Sequence, residues 1–208
     1  MGAACAAILT ASILGTAGSG VAAGFKTTDL VANKNPLTDA NGVVHTPILH
    51  DPNLVNPWGV GESATGRFWV SDNGSSLSTT YIVPASPPPL ITPSTIVVNI
   101  PPPGNPTCTI PPASACGTPT GLVFNIDSVA SDFLIQGVNA MGVTTKARAQ
   151  FIWATEDGTI VGWNSTIGPT VATVGKAGII AVDNSRAFSA RLESGDSLGL
   201  VDARVYRH

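Results

Sequence analysis

The 208-residue chain has few charged residues, few aromatic residues and no apolar run long enough to span a bilayer. Charged residues make up 11% of it, too few to cover the solvent faces of a helical bundle. No segment of the mature chain reaches the roughly 18 apolar residues of a membrane span. The net charge is −3, and no basic cluster occurs before residue 186. The composition therefore argues against helical, membrane-spanning and nucleic-acid-binding proteins.

The N-terminal residues have the composition of a leader. Residues 2–23 contain no charge, and residues 6–14 have the length of a signal-peptide apolar region. Small residues at 21–23 resemble a signal-peptidase site, although the usual basic region before the apolar stretch is missing. We therefore predict a signal peptide at residues 1–23 and a mature protein that is secreted, in the periplasm or outside the cell.

Cysteine is also scarce, since only Cys108 and Cys116 remain in the mature chain. In an oxidising compartment two cysteines this close in sequence form a disulfide, with free buried thiols as the alternative. Two thiolates with no neighbouring His or further Cys make at best half of a zinc site.

Glycine and proline, in contrast, are abundant, with 22 and 17 residues. They interrupt short runs of β-branched and aromatic residues, a pattern typical of strands joined by tight turns. Eleven of the prolines lie in residues 84–112. Because proline cannot donate a hydrogen bond to a sheet, we predict a stiff excursion at a sheet edge there.

Two blocks of the sequence resemble each other. Residues 55–60 and 117–124 share a Pro-x-Gly-apolar core, in which Pro57 and Pro119 correspond. The strands that follow, at 68–74 and 151–158, both end in a polar turn, and the longer second interval predicts an insertion around 126–148. Residues 171–182 are expected to open a third unit. The repeat predicts an all-β fold, a partial β-propeller of about two to three antiparallel meander blades in an open arc over residues 24–185. A β-sandwich is the alternative.

Residues 51–59, 68–74, 117–121 and 154–164 together resemble an uncharacterised family of exported proteins that look like six-bladed, NHL- or TolB-like β-propellers. The resemblance covers residues 27–185 and implies fold and export, but it supplies no catalytic residues. Residues 186–208 hold four of the six arginines and lack strand alternation, so we predict an atypical tail, with an amphipathic segment as the alternative.

Two to three blades cannot close a ring that normally takes four to eight, so the resemblance implies a truncated member. A terminal blade without a neighbour should leave residues 151–153 and 171–174 partly uncovered. Self-association through open blade edges is then expected.

Four polar residues follow corresponding strands of the two blocks: Asp72, Asn73, Glu156 and Asp157. Oxygen ligands converging from neighbouring blades could bind Ca²⁺, and these residues are the weak metal candidates. The alternative is that they bond their own backbone in tight turns. The sequence indicates no other cofactor.

The other candidate functional residues give weaker indications of a binding or catalytic role. His45 and His50 lie five residues apart in a proline-containing loop, a spacing that suits neither a helix face nor a strand face. No common hydrolase motif occurs. The four tryptophans, Trp58, Trp69, Trp153 and Trp163, are predicted to pack in the core and between blades, with an exposed sugar-stacking face as the alternative.

These observations favour an exported, non-catalytic β-propeller module that binds a protein or a glycan. A metal-dependent hydrolase or lactonase of propeller type is the first alternative, resting on fold analogy and the acidic turns. A non-functional truncated fragment is the second.

Overall fold

The computed structural model describes residues 27–64, 66–84, 91–105, 116–127, 129–168, 170–171 and 175–186. The predicted signal peptide lies outside the described residues, as do Cys108 and residues 187–208 of the tail. Cys116 is buried, and its pairing with Cys108 stays a prediction.

The described part of the chain is built from strands, with one 3-10 turn at Asn73–Ser75. In chain order the strands are β1 Val31–Ala32, β2 Leu37–Thr38, β3 Val44–His45, β4 Leu49–His50, β5 Pro57–Glu62, β6 Arg67–Asp72, β7 Leu77–Ile82, β8 Thr92–Pro93, β9 Val98–Asn99, β10 Pro119–Phe124, β11 Leu134–Val138, β12 Thr144–Arg148, β13 Phe151–Thr155, β14 Thr159–Trp163, β15 Thr170–Val171, β16 Gly175–Lys176 and β17 Ile179–Asp183. The prediction of an all-β fold is confirmed. Among these residues no helix is long and apolar enough to cross a membrane.

Two antiparallel meanders form the body of the fold. The first sheet has the order β5-β6-β7, with β8 and β9 both pairing with β7. The second sheet has the order β10-β13-β14-β17. The two sheets form an open arc, and neither closes into a barrel. Residues 179–183, expected to belong to a third unit, instead supply the last strand of the second sheet.

The predicted insertion is present as the hairpin β11–β12, whose two strands pair along their whole length from Leu134↔Arg148 to Val138↔Thr144. Ile135 of this hairpin packs with Ile152 and Ile179 of the second sheet. It therefore covers part of the face that points away from the first sheet. Val123 on the same face remains 57% exposed. The open end of the arc is thus partly capped.

The N-terminal segment covers the other end of the arc. It contains the parallel pair β1–β4 and the hairpin β2–β3. Leu30, Leu49 and Leu54 of this segment pack on a buried cluster of the first sheet that includes Val70 and Tyr81. The outer face of the first sheet is therefore partly covered by chain that precedes it in sequence, while Val60 on this face stays 63% exposed.

An aromatic cluster fills the space between the sheets. The rings of Trp69 and Phe151 stack with centroids 3.9 Å apart, and Trp163 lies 5.1 Å from Trp69. Phe151 and Trp153 are 2% and 0% exposed. The expectation that they are left uncovered is wrong, because their face of β13 turns toward the first sheet. Ile152 on the opposite face is partly exposed, as expected, and residues 172–174 of the same expectation lie outside the described residues. Trp58 departs from the predicted packing and is 58% exposed.

The sheets approach most closely where β5 passes β10. A methyl group at Gly59 would lie 2.4 Å from the carbonyl oxygen of Thr120 and 3.0 Å from the amide nitrogen of Leu122. At Gly121, the corresponding glycine of β10, the nearest atom to an added methyl is the Ala154 Cβ, at 3.8 Å. Gly59 and Gly121 are therefore equivalent positions of the repeat, but only Gly121 has room for a methyl group.

We predict that Gly59→Ala lowers the free energy of unfolding by about 1–3 kcal/mol, because the backbone of β10 must move to admit the methyl. Gly121→Ala should cost nothing and could add up to about 1 kcal/mol, since alanine restricts the unfolded chain more than glycine does. Urea unfolding followed by far-UV circular dichroism measures both. Equal effects of the two substitutions would contradict the close approach of β5 and β10.

Candidate functional site

The turns after β6 and β13 lie side by side at the same end of the two sheets. The Asn73 amide donates to the Asn56 carbonyl at 3.2 Å, and the Glu156 amide donates to the Thr118 carbonyl at 3.0 Å. Asn56 and Thr118 each precede the first strand of their sheet. Asn73 and Glu156 are therefore structurally equivalent, as the repeat predicted.

The side chains of these turns form a continuous polar row across both sheets. Asn73 Nδ2 donates to Glu156 Oε2 at 2.9 Å, and Asn56 Nδ2 donates to Asn73 Oδ1 at 3.2 Å. Trp58 follows Asn56 by two residues and is exposed. We call these four residues, Asn56, Trp58, Asn73 and Glu156, the inter-sheet row. The sequence pointed to Asn73 and Glu156 but missed Asn56.

Local backbone geometry sets this arrangement. Asn56 has a φ of +49°, a left-handed conformation that asparagine adopts more readily than most residues. The pairing of β5 with β6 then shifts register between Pro57 and Val60. Such a bulge interrupts strand alternation and redirects side chains. The same shift occurs between Pro119 and Leu122 of the second sheet, where Thr120 stands in the place of Trp58.

The inter-sheet row retains unused hydrogen-bonding capacity. Asn56 and Asn73 each donate one of their two side-chain amide hydrogens to a hydrogen bond within the row, which leaves the other free to bind a ligand. Glu156 is exposed, and its Oε1 accepts no hydrogen bond from the described residues. The row therefore presents donors, acceptors and an indole ring to solvent.

The other two calcium candidates point elsewhere. Asp157 Oδ2 accepts from the Thr118 amide at 2.7 Å and from the Thr118 hydroxyl at 2.9 Å. Asp72 is fully buried, and its Oδ2 accepts from the Thr79 amide at 3.0 Å. One oxygen of each carboxylate is thus occupied by hydrogen bonds from a neighbouring strand. Over the described ranges, no three His, Cys, Asp or Glu side chains are grouped so as to hold a metal ion.

Asp72 is electrostatically unusual. Its Oδ1 is buried without a hydrogen-bond partner among the described residues. Burial raises the pKa of Asp72 to about 7; its hydrogen bonds from Thr79 oppose the rise, and the charge of Asp51 adds to it. Asp51 in turn accepts a 2.8 Å hydrogen bond from the Tyr81 hydroxyl, and burial also raises the pKa of Tyr81. A pKa near 7 suits a general acid or base, but this carboxyl has no surface that a substrate could reach.

The two histidines have separate partners. His45 Nδ1 lies 3.0 Å from Asp29 Oδ2, and its Nε2 lies 3.3 Å from Asp39 Oδ2. These hydrogen bonds, the one to Asp29 first, raise the pKa of His45. His50 Nε2 lies 3.1 Å from the Asn33 carbonyl oxygen. The structure does not bring the two rings together as a metal pair. Each ring instead hydrogen-bonds to other residues of the N-terminal segment.

An apolar cleft of about 210 Å³ lies between the N-terminal segment and the first sheet. Its lining consists of apolar and aromatic side chains: Leu30, Val31, Val60, Phe68, Tyr81 and Val83. Binding sites for small molecules usually add a few polar groups that orient the ligand. Among the lining residues, the polar side-chain group is the Tyr81 hydroxyl, which already donates a hydrogen bond to Asp51. The inter-sheet row is therefore the stronger candidate site.

Comparison of the chain with protein-family models, curated proteins and solved structures finds no match. The resemblance to exported propellers accordingly stays an expectation.

Proposed function

We propose that this protein is an exported, non-catalytic binding module of propeller type that holds a glycan at the inter-sheet row. The observation that carries the proposal is the hydrogen-bonded series Asn56–Asn73–Glu156, whose amide and carboxylate groups have unused hydrogen-bonding capacity, together with the exposed Trp58 two residues after Asn56 in β5. A sugar ring offers C–H groups that pack on an aromatic face and hydroxyls that both donate and accept. The inter-sheet row offers partners for both.

The polar groups of the inter-sheet row are held in place before any ligand binds. Asn73 is bonded on one side to Asn56 and on the other to Glu156, so its side chain has little freedom to lose. Fixing such groups in advance reduces the entropy cost of binding. This favours a small polar ligand, recognised group by group, over a protein partner, which would need a contact of about 800 Å² on each side.

A hydrolase or lactonase is supported less well. Such chemistry needs a carboxyl or another proton-transfer group within reach of the substrate. Asp72 has a pKa in the useful range but is buried, and Glu156 is exposed without a second carboxylate bonded to it. A panel of lactones and esters, assayed with and without EDTA, tests this alternative. Turnover that EDTA abolishes would favour it over the binding module.

We predict that Trp58→Ala weakens glycan binding at least about tenfold, equivalent to 1.4 kcal/mol, because the stacking surface is lost. Trp58→Phe retains a ring and should bind within about threefold of the parent. Because Trp58 is exposed, both variants should keep the parent's unfolding midpoint, which serves as the control. A glycan array followed by titration calorimetry measures the affinities. Unchanged binding by the alanine variant would contradict the proposed site.

Export predicts a mature chain that begins near Gly24, since the small residues at 21–23 fit a cleavage site. Intact-mass analysis of secreted protein measures this directly. Secreted material that retains residues 1–23 would contradict the prediction.

A further inference from the structure

We infer that the exposed dipeptide Asn41-Gly42, at the tip of the β2–β3 hairpin, is a site of spontaneous deamidation, and that the fold protects the same dipeptide at Asn73-Gly74. The sequence contains Asn-Gly at these two positions. Both share the same reactive groups, and they differ in how the structure holds them. The inference does not depend on the proposed function.

Deamidation of an Asn-Gly pair needs only the chain itself and water. The amide nitrogen of the glycine loses its proton to base and attacks the side-chain carbonyl carbon of the asparagine. A new C–N bond closes a succinimide ring, the bond from that carbon to the side-chain nitrogen breaks, and the nitrogen takes up a proton and leaves as ammonia. Water then opens the ring at either carbonyl, giving aspartate or isoaspartate. Glycine favours the attack because it has no side chain and rotates freely.

The hairpin tip allows this reaction. Asn41 and Gly42 are both exposed, and the Asn41 side chain makes no hydrogen bond among the described residues. A methyl group added to Gly42 would have no atom within 4 Å, so the turn can rearrange without meeting packed groups. The Gly42 amide does donate to the Asp39 carbonyl at 3.1 Å. Because this bond lies at the surface of a hairpin with two residue pairs, the tip opens easily and water replaces the bond.

Asn73-Gly74 is held on both sides of the bond that would have to form. Asn73 Nδ2 donates to Glu156 at 2.9 Å, and Asn73 Oδ1 accepts from Asn56 at 3.2 Å. The Gly74 amide, which would be the nucleophile, donates to the Val55 carbonyl at 2.9 Å. A methyl group at Gly74 would lie 2.6 Å from Val55 Cγ1, so the glycine has little room to turn toward the asparagine side chain. Asn73 can therefore react only when this turn opens locally.

The protection matters for the inter-sheet row. Deamidation of Asn73 would remove the donor to Glu156 and place a second carboxylate beside it. At Asn41 the same reaction adds a negative charge near Asp39, whose Oδ1 accepts from the Asn41 and Val43 amides. Isoaspartate also lengthens the main chain of that turn by one carbon. The modification therefore alters the hairpin and leaves the row intact.

The test ages the full secreted chain in mildly alkaline buffer at physiological temperature, folded and in concentrated urea. Peptide mapping by mass spectrometry measures the conversion of each asparagine over time. In the folded protein Asn41 should convert at least about tenfold faster than Asn73, because Asn73 reacts only in the fraction of molecules whose turn is open. In urea the two rates should agree within about threefold, because the packing that distinguishes the sites is gone.

Asn41→Gln is the matched control, since glutamine keeps the amide but closes the larger ring far more slowly. The variant should lose the fast reaction and leave the rate at Asn73 unchanged. Equal rates at the two sites of the folded parent overturn the inference, as does faster conversion of Asn73. Conversion of Asn41 in urea but not in the folded protein would show that the hairpin protects it, which also overturns the inference. So does a chain that converts at neither site in urea.

Discussion

Replacing Trp153 with alanine is expected to lower the free energy of unfolding by about 3–5 kcal/mol. Trp153 is 0% exposed and lies between the sheets, with its ring 6.2 Å from Trp69 and 6.1 Å from Phe151. Truncation removes these contacts and leaves a cavity in the cluster that joins the two meanders. Net stabilities of whole domains are only about 5–15 kcal/mol, so this variant should be close to unfolding at room temperature.

Trp58→Ala is the matched control, because the same chemical change at an exposed site should cost about 0.5 kcal/mol or less. Urea unfolding at 25 °C should be followed by far-UV circular dichroism, since removing a tryptophan alters the fluorescence signal itself. If both variants lost the same stability, the aromatic cluster would not be the core that joins the sheets.

The repeat in the sequence was informative because it combines local signals. The Pro-x-Gly cores at Pro57 and Pro119 mark the first strands of the two sheets, and both carry the same bulge. The unequal spacing after them revealed the β11–β12 hairpin. Strand alternation and turn residues are short-range features, and they depend little on how the sheets pack.

Burial was harder to predict, because it depends on what covers each face. Strand β7 alternates like a half-exposed strand, yet residues 77–81 are all buried, including Ser78 and Thr80. The N-terminal segment packs on the face that contains Tyr81, and on the other face the Thr80 hydroxyl donates to the carbonyl of Ile96, just before β9. Neither partner can be read from the sequence of β7. The expectation that Trp153 is uncovered was wrong for the same reason, because the sequence does not show which face of β13 packs against the first sheet.

The candidate site was half predicted. Asn73 and Glu156 could be paired from the repeat, whereas Trp58 was assigned to the core with the other tryptophans. The repeat did contain the missing signal. The residue equivalent to Trp58 is Thr120, so the packing of the repeat does not require an apolar side chain at this position. A tryptophan where the sister block has a small polar residue indicates a role at the surface.

Asp72 is expected to make the protein less stable as the pH rises toward neutrality, by about 3 kcal/mol between pH 4 and pH 7. Burial raises its pKa from 3.8 to about 7 in the folded state. In this interval the unfolded chain loses the proton and the folded chain keeps it. The stability contributed by the neutral carboxyl is therefore complete below pH 3.8 and is lost as the pH approaches 7.

Asp72→Asn removes this titration, because the amide stays neutral and its oxygen can still accept from the Thr79 amide. Near pH 8 the variant should be more stable than the parent by up to about 4 kcal/mol, less the cost of burying an amide whose NH₂ has no partner. Near pH 4 the difference should vanish or change sign, since both side chains are then uncharged.

Urea unfolding of both proteins at intervals from about pH 4 to pH 8 gives the difference directly. Taking the difference in stability between the two proteins also cancels the contributions of the other titrating groups. His45 has a raised pKa, so the stability it contributes is likewise lost as the pH rises through its folded pKa, but this occurs equally in both proteins. Parallel stability curves would mean that Asp72 ionises as readily in the folded chain as in the unfolded one. Water would then have to reach its Oδ1, and the contact between the N-terminal segment and the first sheet would be looser than described.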